Sequence, residues 1–229
     1  MTAQTSLFLC LKDNYGVLLH DPATGATAAI DAPDAAPVEA ALKQKYGCRV
    51  VAPREVSSKY DFVDETVKEG DKVKVGNLTG NVIDTPGHTA GHISYWFHDD
   101  SLAFVGDTLF SIGCGRVIEG TPQMMWDSLK KLRDLPDDTE VYCGHEYTMA
   151  NIKFAQTIEP NNPALATRAE EAADEISRKL PTIPTTIGEE KKANVFLRAD
   201  VPEVAAAVGL SGKPAAEVFA EVRARKNKF

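Results

Sequence analysis

The sequence has 229 residues, 43% hydrophobic and 25% charged, a balance that supports a packed interior and argues against a disordered or fibrous chain. Lys and Arg number 25 against 33 Asp and Glu, and a net charge of −8 argues against nucleic acid as the main partner. No run approaches the ~18 apolar residues of a membrane span, and Cys10, Cys48, Cys114 and Cys143 are too scattered for a C-x-x-C site or a disulfide framework.

Residues 7–11 form the first predicted strand, and Asp13-Asn14 favours a turn. The runs 16–20 and 26–30, separated by D-P-A-T-G, predict a β-hairpin; Asp31 follows it either as a functional carboxylate or, the preferred reading, as a cap. Residues 37–46 have helical composition between a Pro and Gly47, 49–52 read as a strand, and 53–69 as a surface loop. The segments 72–75 and 78–84, a hairpin around Gly76-Asn77, join 93–97 and 102–106 in a second sheet. A glycine-containing loop spans 112–120, and Thr121-Pro122 then opens a helix with Met125, Leu129 and Leu132 on one face. The last expected strand is 140–143. Beyond Thr148 the pattern is helical: a face of Ile152, Ala155 and Ile158, then 164–180, a break at 181–184, and 201–208 and 214–226. The shift near residue 150 predicts an α/β sandwich over 1–150 and a helical domain over 151–229.

Three predicted strands share one feature. The run 78–84 leads through Pro86-Gly87 to His88, with His92 four residues on; 102–106 ends in Gly106-Asp107; and 140–143 ends in Gly144-His145. In layered α/β folds, chemistry gathers at the loops where strands finish, so two imidazoles and a carboxylate delivered in this way form a candidate site.

The words T-P-G-H-T-A-G-H (85–92), F-V-G-D-T-L-F (104–110), G-C-G-R-V-I-E-G (113–120) and Y-C-G-H-E-Y-T (142–148) together, and in this order, resemble the metallo-β-lactamase fold superfamily and, within it, the glyoxalase II enzymes, the hydroxyacylglutathione hydrolases. The resemblance covers essentially the whole chain. It implies an αββα sandwich with a C-terminal helical domain and hydrolysis of S-2-hydroxyacylglutathione, such as S-D-lactoylglutathione, by a metal-activated water, a step of methylglyoxal detoxification. Zinc, with iron or manganese as alternatives, is implied at two ions per chain. His88 would bind one, His145 the other, and the catalytic Asp107 would bridge them, with His92 supporting the loop from behind. Arg116, Tyr147, Arg223 and Lys226 match positions that contact the glutathione part of the substrate; Ile118 stands where some members have an aromatic. Read without the resemblance, the basic end of the chain complements its helix dipole.

The family's other ligands come from a T-H-x-H-x-D-H motif, and this chain lacks it. Its histidines are His20, His88, His92, His98 and His145, with none between His20 and His88. Residues 35–42 resemble the helix before that motif and 42–53 the helix end and strand after it, so one metal or none is expected here. The alternative is therefore a glutathione-thioester-binding variant without catalysis. A persulfide dioxygenase or lactonase is disfavoured by the helical end, and a nuclease by the charge. Scattered thiols and an N-terminus without a basic segment predict a cytoplasmic protein, expected to be a monomer that touches neither membrane nor nucleic acid; a sheet edge exposed by the missing strand offers a route to association.

Overall fold

The computed structural model describes residues 2–31 and 43–229. The expected junction near residue 42 and most of the helix predicted over 37–46 lie outside the described residues; 43–46 are helical.

Strands β1 (Gln4–Cys10), β2 (Asn14–His20) and β3 (Thr27–Ile30) form an antiparallel sheet. The first hairpin is longer than its apolar runs, with Cys10 opposite Asn14, so the turn falls at 11–13. Segment 53–69 is not the aperiodic loop expected. Val51–Pro53 (β4) leads directly into a short helix, Arg54–Ser57 (α1), and Glu65–Val67 (β5) returns parallel to β4. Val51, Thr66 and Val67 are β-branched and suit a ladder that polarity alone concealed. This first layer is thus in two pieces, β1-β2-β3 and β4-β5.

The second layer is a six-stranded sheet. Strands β6 (Lys72–Val75), β7 (Leu78–Asp84), β8 (Ile93–Phe97) and β9 (Leu102–Gly106) run as an antiparallel meander. A tight pair, β10 (Leu109–Phe110) and β11 (Gly113–Cys114), follows, and helix α2 (Pro122–Arg133) then crosses over to β12 (Glu140–Cys143), which lies parallel to β9. Thr121 caps α2 by accepting from the Met124 amide, and Met125, Leu129 and Leu132 are buried as expected. Because β7 and β9 each run antiparallel to β8, and β12 runs parallel to β9, strands β7, β9 and β12 all finish on the same rim.

Alternation along β9 divides the interior. Leu102 and Phe104 join Val17, Leu19, Val73, Val82, Phe97 and Tyr142 between the two layers. Ala103 and Val105 face the opposite way, onto the helices. These are α2, α3 (Thr148–Ile158), α4 (Pro163–Ser177), α5 (Ile187–Ala193), α6 (Pro202–Ala207) and α7 (Ala215–Lys228). One apolar cluster runs from Val105 and Met125 through Phe154 to Phe196 and Phe219, crossing residue 150 without a break. Two elements of the C-terminal part were not expected. Thr185–Thr186 (β13) pairs with Glu140 and Val141 at the sheet edge, and α5 follows it with a capping box between Thr186 and Glu189. The Thr-x-x-Glu spacing is the sequence signal for that helix start.

The carboxyl of Glu190 is wholly buried and accepts from the Ile112 amide, Thr185 Oγ1 and Asn194 Nδ2. Burial pushes its pKa up to about 7, against the pull of those donors and of Arg168. A raised carboxyl holds its proton more tightly folded than unfolded, so its contribution to stability is complete below the ordinary carboxylate pKa and is lost as pH rises through about 7. Glu190→Gln, which stays neutral, is expected to fall less in unfolding temperature than the parent between about pH 5 and about pH 8. Thermal unfolding of both proteins across that range checks this, and parallel slopes would count against it.

Candidate active site

The rim where β7, β9 and β12 finish carries His88, Asp107 and His145, and their side chains meet. His88 Nε2 is 3.3 Å from Asp107 Oδ2, and His145 Nε2 is 3.5 Å from the same oxygen. Each side chain is partly buried. Three groups separated by up to 57 positions in sequence therefore share one oxygen atom.

Each imidazole is held from behind. His88 Nδ1 donates to the Arg116 carbonyl at 2.9 Å, which leaves Nε2 as the nitrogen facing Asp107. The loop that supplies this carbonyl is strapped to the His88 loop: Glu119 Oε2 accepts from the Ala90 amide, and the Glu119 and Gly120 amides donate to the carbonyls of His88 and Gly87. His145 Nδ1 lies 3.1 Å from Asp13 Oδ1, and the Tyr147 ring stacks on the imidazole at 4.8 Å with 4° between planes. Asp13 was read in the sequence only as a turn residue. No local pattern marks it, because its partner is 132 positions away.

His92 does not face the site. Its Nε2 accepts from the Asp107 amide at 3.2 Å, so the ring proton sits on Nδ1, beside Thr85 Oγ1 and Thr108 Oγ1. Burial lowers its pKa to about 4, and it stays neutral near pH 7. This is support of the Asp107 backbone from behind.

Burial alone would raise the Asp107 carboxyl, but the hydrogen bond from His145 and the charges of His145 and His88 outweigh it and hold it below the usual carboxylate range. In turn the bond to Asp107, opposed by burial and helped by the Asp107 and Asp13 charges, raises His145 to about 9. As they stand, His145 and Asp107 are a mutually stabilised pair, with His88 in contact with the same oxygen.

Glycines make the close approach feasible. A Cβ on Gly144 would lie 2.6 Å from Asp107 Oδ1 and 3.3 Å from Asp31 Oδ2, and one on Gly106 would meet His92 Nε2 at 2.7 Å. Asp31, expected to act as a cap, thus brings its carboxylate to the rim of the site.

Two imidazoles and a carboxylate are the donors of a zinc site with an open position. Their separations of 3.3 and 3.5 Å are close to the ~3.3 Å edge of a tetrahedron with bonds of ~2.0–2.1 Å. Among the described residues no group of three or more His, Cys, Asp or Glu side chains is arranged to hold an ion as it stands, since both imidazoles are turned onto a single carboxylate oxygen. His92 is committed elsewhere, His20 bonds Thr27 on the first sheet, and His98 pairs with exposed Asp99. In donor chemistry the set suits a divalent ion, although among the described residues it is not arranged to hold one as it stands.

The residues expected to bind substrate divide into two kinds. Arg116 and Tyr147 are exposed at the rim; burial and the carboxylates of Asp13 and Asp107 push the Tyr147 hydroxyl up, and the Arg116 charge opposes them. Arg223 is interior. It is 7% exposed, lies over the Phe196 ring, and donates through Nε to Asn227 and through Nη1 to the Cys114 carbonyl at 2.8 Å, so it anchors the loop before Arg116. Lys226 is half-buried over Phe154 and Phe229 and donates to the Ala150 carbonyl; burial, helped by the Arg223 charge, lowers it to about 8. Ile118 is exposed.

Residues 17–145 match the family model described as "Metallo-beta-lactamase superfamily", and residues 146–229 match "Hydroxyacylglutathione hydrolase C-terminus". Proteins named hydroxyacylglutathione hydrolase from Nitrobacter winogradskyi and Nitrobacter hamburgensis are 58% and 57% identical over all of this chain and all of theirs; one from a Bradyrhizobium species is 51% identical over the same full span. Each of these alignments runs over 254 positions against 229 residues, so 25 positions have no residue of this chain. Among solved structures, a metallo-beta-lactamase from Staphylococcus aureus superposes with a TM-score of 0.62 at 18% identity over 98% of this chain and 71% of its own. The BLEG-1 B3 metallo-beta-lactamase gives 0.58 at 18% identity over 85% and 99%. These two likenesses show the fold.

Gly115 is the tightest point of the site. A Cβ there would overlap the Asp107 carbonyl oxygen and come 3.4 Å from His88 Nδ1. The Gly115→Ala variant is expected to lose about 1–3 kcal/mol of stability by overpacking. Denaturant unfolding measures this, and a loss below about 0.5 kcal/mol would show that the loop yields without cost.

Proposed function

Since the chain belongs to the hydroxyacylglutathione hydrolase family within the metallo-beta-lactamase superfamily, we propose that it hydrolyses the thioester of an S-2-hydroxyacylglutathione to glutathione and a 2-hydroxy acid. The observation that carries this reading is the meeting of His88, Asp107 and His145 on one rim beside Arg116 and Tyr147. His88, Asp107 and His145 would hold a divalent ion, with zinc the first choice and iron or manganese the alternatives; when bound it supplies an acidified water and a Lewis acid for the thioester carbonyl.

The chain's own groups do the rest. Asp107, held from behind by His92, presents its carboxylate between the two imidazoles and keeps their Nε2 atoms converged. The exposed Arg116 guanidinium and the Lys226 ammonium suit the glutathione carboxylates, and Tyr147 offers a hydroxyl and a ring face. Arg223 contributes by fixing the Cys114 carbonyl and hence the loop that carries Arg116. In this reading residues 1–150 carry the hydrolytic centre and 151–229 the substrate arm. S-D-lactoylglutathione is the first substrate to test, and with it a place in methylglyoxal detoxification. Free cysteines support a reducing, cytoplasmic setting. Among the described residues no helix is long and apolar enough to cross a membrane.

A second reading follows from a separate observation. We assign the 25 alignment positions that have no residue here to the junction near residue 42, where the T-H-x-H-x-D-H motif would stand. With three donors in place of a full two-ion set, the chain would bind glutathione thioesters without turning them over. Steady-state kinetics and metal content on one preparation separate the two readings. The hydrolase reading expects zinc-dependent turnover of S-D-lactoylglutathione that Asp107→Asn reduces to background. It also expects Arg116→Ala to raise KM roughly tenfold, the equivalent of one charge-assisted hydrogen bond. Thioester binding with no metal-dependent turnover would establish the binding reading instead.

A further inference from the structure

We propose that Asp13, in the turn of the N-terminal hairpin, is a positioning residue for His145: its carboxylate accepts the Nδ1 proton, sets which ring edge faces the site and directs Nε2 toward Asp107. The proposal rests on reading the rim as a hydrolytic, metal-binding site, and it adds the first hairpin to that site.

The ring's surroundings leave one ambiguity, and the shortest polar contact that resolves it is the one to Asp13. Stacking on Tyr147 at 4.8 Å and 4° fixes the plane of the imidazole. A half-turn about the Cβ–Cγ bond preserves that stacking while exchanging the nitrogen edges for carbon. The 3.1 Å contact from Nδ1 to Asp13 Oδ1 breaks the equivalence, because a C–H edge placed there would forfeit a charge-assisted hydrogen bond. Asn14 Nδ2, 3.5 Å from Nε2, is at the far limit of a hydrogen bond and is the weaker guide.

The carboxylate has no other task that the turn depends on. The hairpin docks on the strand end through its backbone: the Glu146 amide donates to the Asp13 carbonyl at 2.8 Å, the Tyr15 amide donates to the Gly144 carbonyl at 2.9 Å, and Asn14 forms a β-bridge with His145. None of these bonds uses the Asp13 side chain. His88 offers the parallel, since its Nδ1 is committed to a backbone carbonyl and its Nε2 is likewise directed onto Asp107 Oδ2. One imidazole is thus aimed by a peptide oxygen and the other by a carboxylate, and both converge on one atom.

The test compares the parent with Asp13→Ala and Asp13→Asn. In metal-free protein, the nitrogen-bound ring-proton spectrum of His145 is expected to show an exchange-protected Nδ1 proton. That resonance should persist in Asp13→Asn, whose amide oxygen can still accept, and vanish in Asp13→Ala. Zinc affinity, read by competition with a chelator, is expected to fall about 10–100-fold in Asp13→Ala. The unfolding temperature should stay close to that of the parent, because the docking bonds are backbone bonds. A parent without a protected Nδ1 proton, or an Asp13→Ala protein that keeps both the resonance and the zinc affinity, would overturn the proposal. Should Asp13→Ala not fold, the parent and Asp13→Asn spectra still decide. Should the parent bind no zinc, the ring spectra still decide, and it is the metal reading of the rim that fails.

Discussion

One carboxylate oxygen organises this molecule. Asp107 Oδ2 receives His88 from one side and His145 from the other, and neither histidine is near it in sequence. The meeting is possible because β7, β9 and β12 point the same way and end together, a consequence of two antiparallel steps across β8 and one right-sized crossover through α2. A strand running the other way would carry its terminal residue to the opposite edge of the sandwich. Site geometry is therefore inherited from strand direction, and the helix crossover is as necessary to it as the histidines are.

Around that oxygen the surroundings are arranged to remove freedom rather than to add contacts. Nδ1 of each imidazole is occupied, and the backbone of Asp107 is held by a neutral, buried His92. Glycines at 106, 115 and 144 admit the approach of chains that a single methyl group would keep apart. Charge is balanced inside the group: the carboxylate lies low because it faces imidazoles, and His145 lies high because it faces two carboxylates. Each member of this pairing is thus satisfied by its neighbours, and any new partner of Asp107 has to displace a contact already made.

Much of this is legible in the sequence. Strands over 78–84, 93–97, 102–106 and 140–143 follow from apolar runs bounded by turns, and the helix after Thr121-Pro122 from its cap and its Met125, Leu129, Leu132 spacing. The motif words put His88, Asp107 and His145 in one neighbourhood, which periodicity alone could not do. What escaped reading was short or long-range. β5 and β13 span three and two residues and draw their order from a neighbour's ladder, a force that no local pattern records. Asp13 looked like ordinary turn chemistry because its partner is 132 positions away. The burial of Arg223 depends on Phe196 and on the Cys114 carbonyl, which only packing brings close.

The interior position of Arg223 reaches further than its own helix. From α7 its guanidinium grips the Cys114 carbonyl; two residues on, the Arg116 carbonyl grips His88. Helix α7 and the His88 imidazole are thereby joined by a short mechanical linkage through a single loop. Anything that unseats α7 would loosen His88 remotely, so a helix far from the rim takes part in holding it.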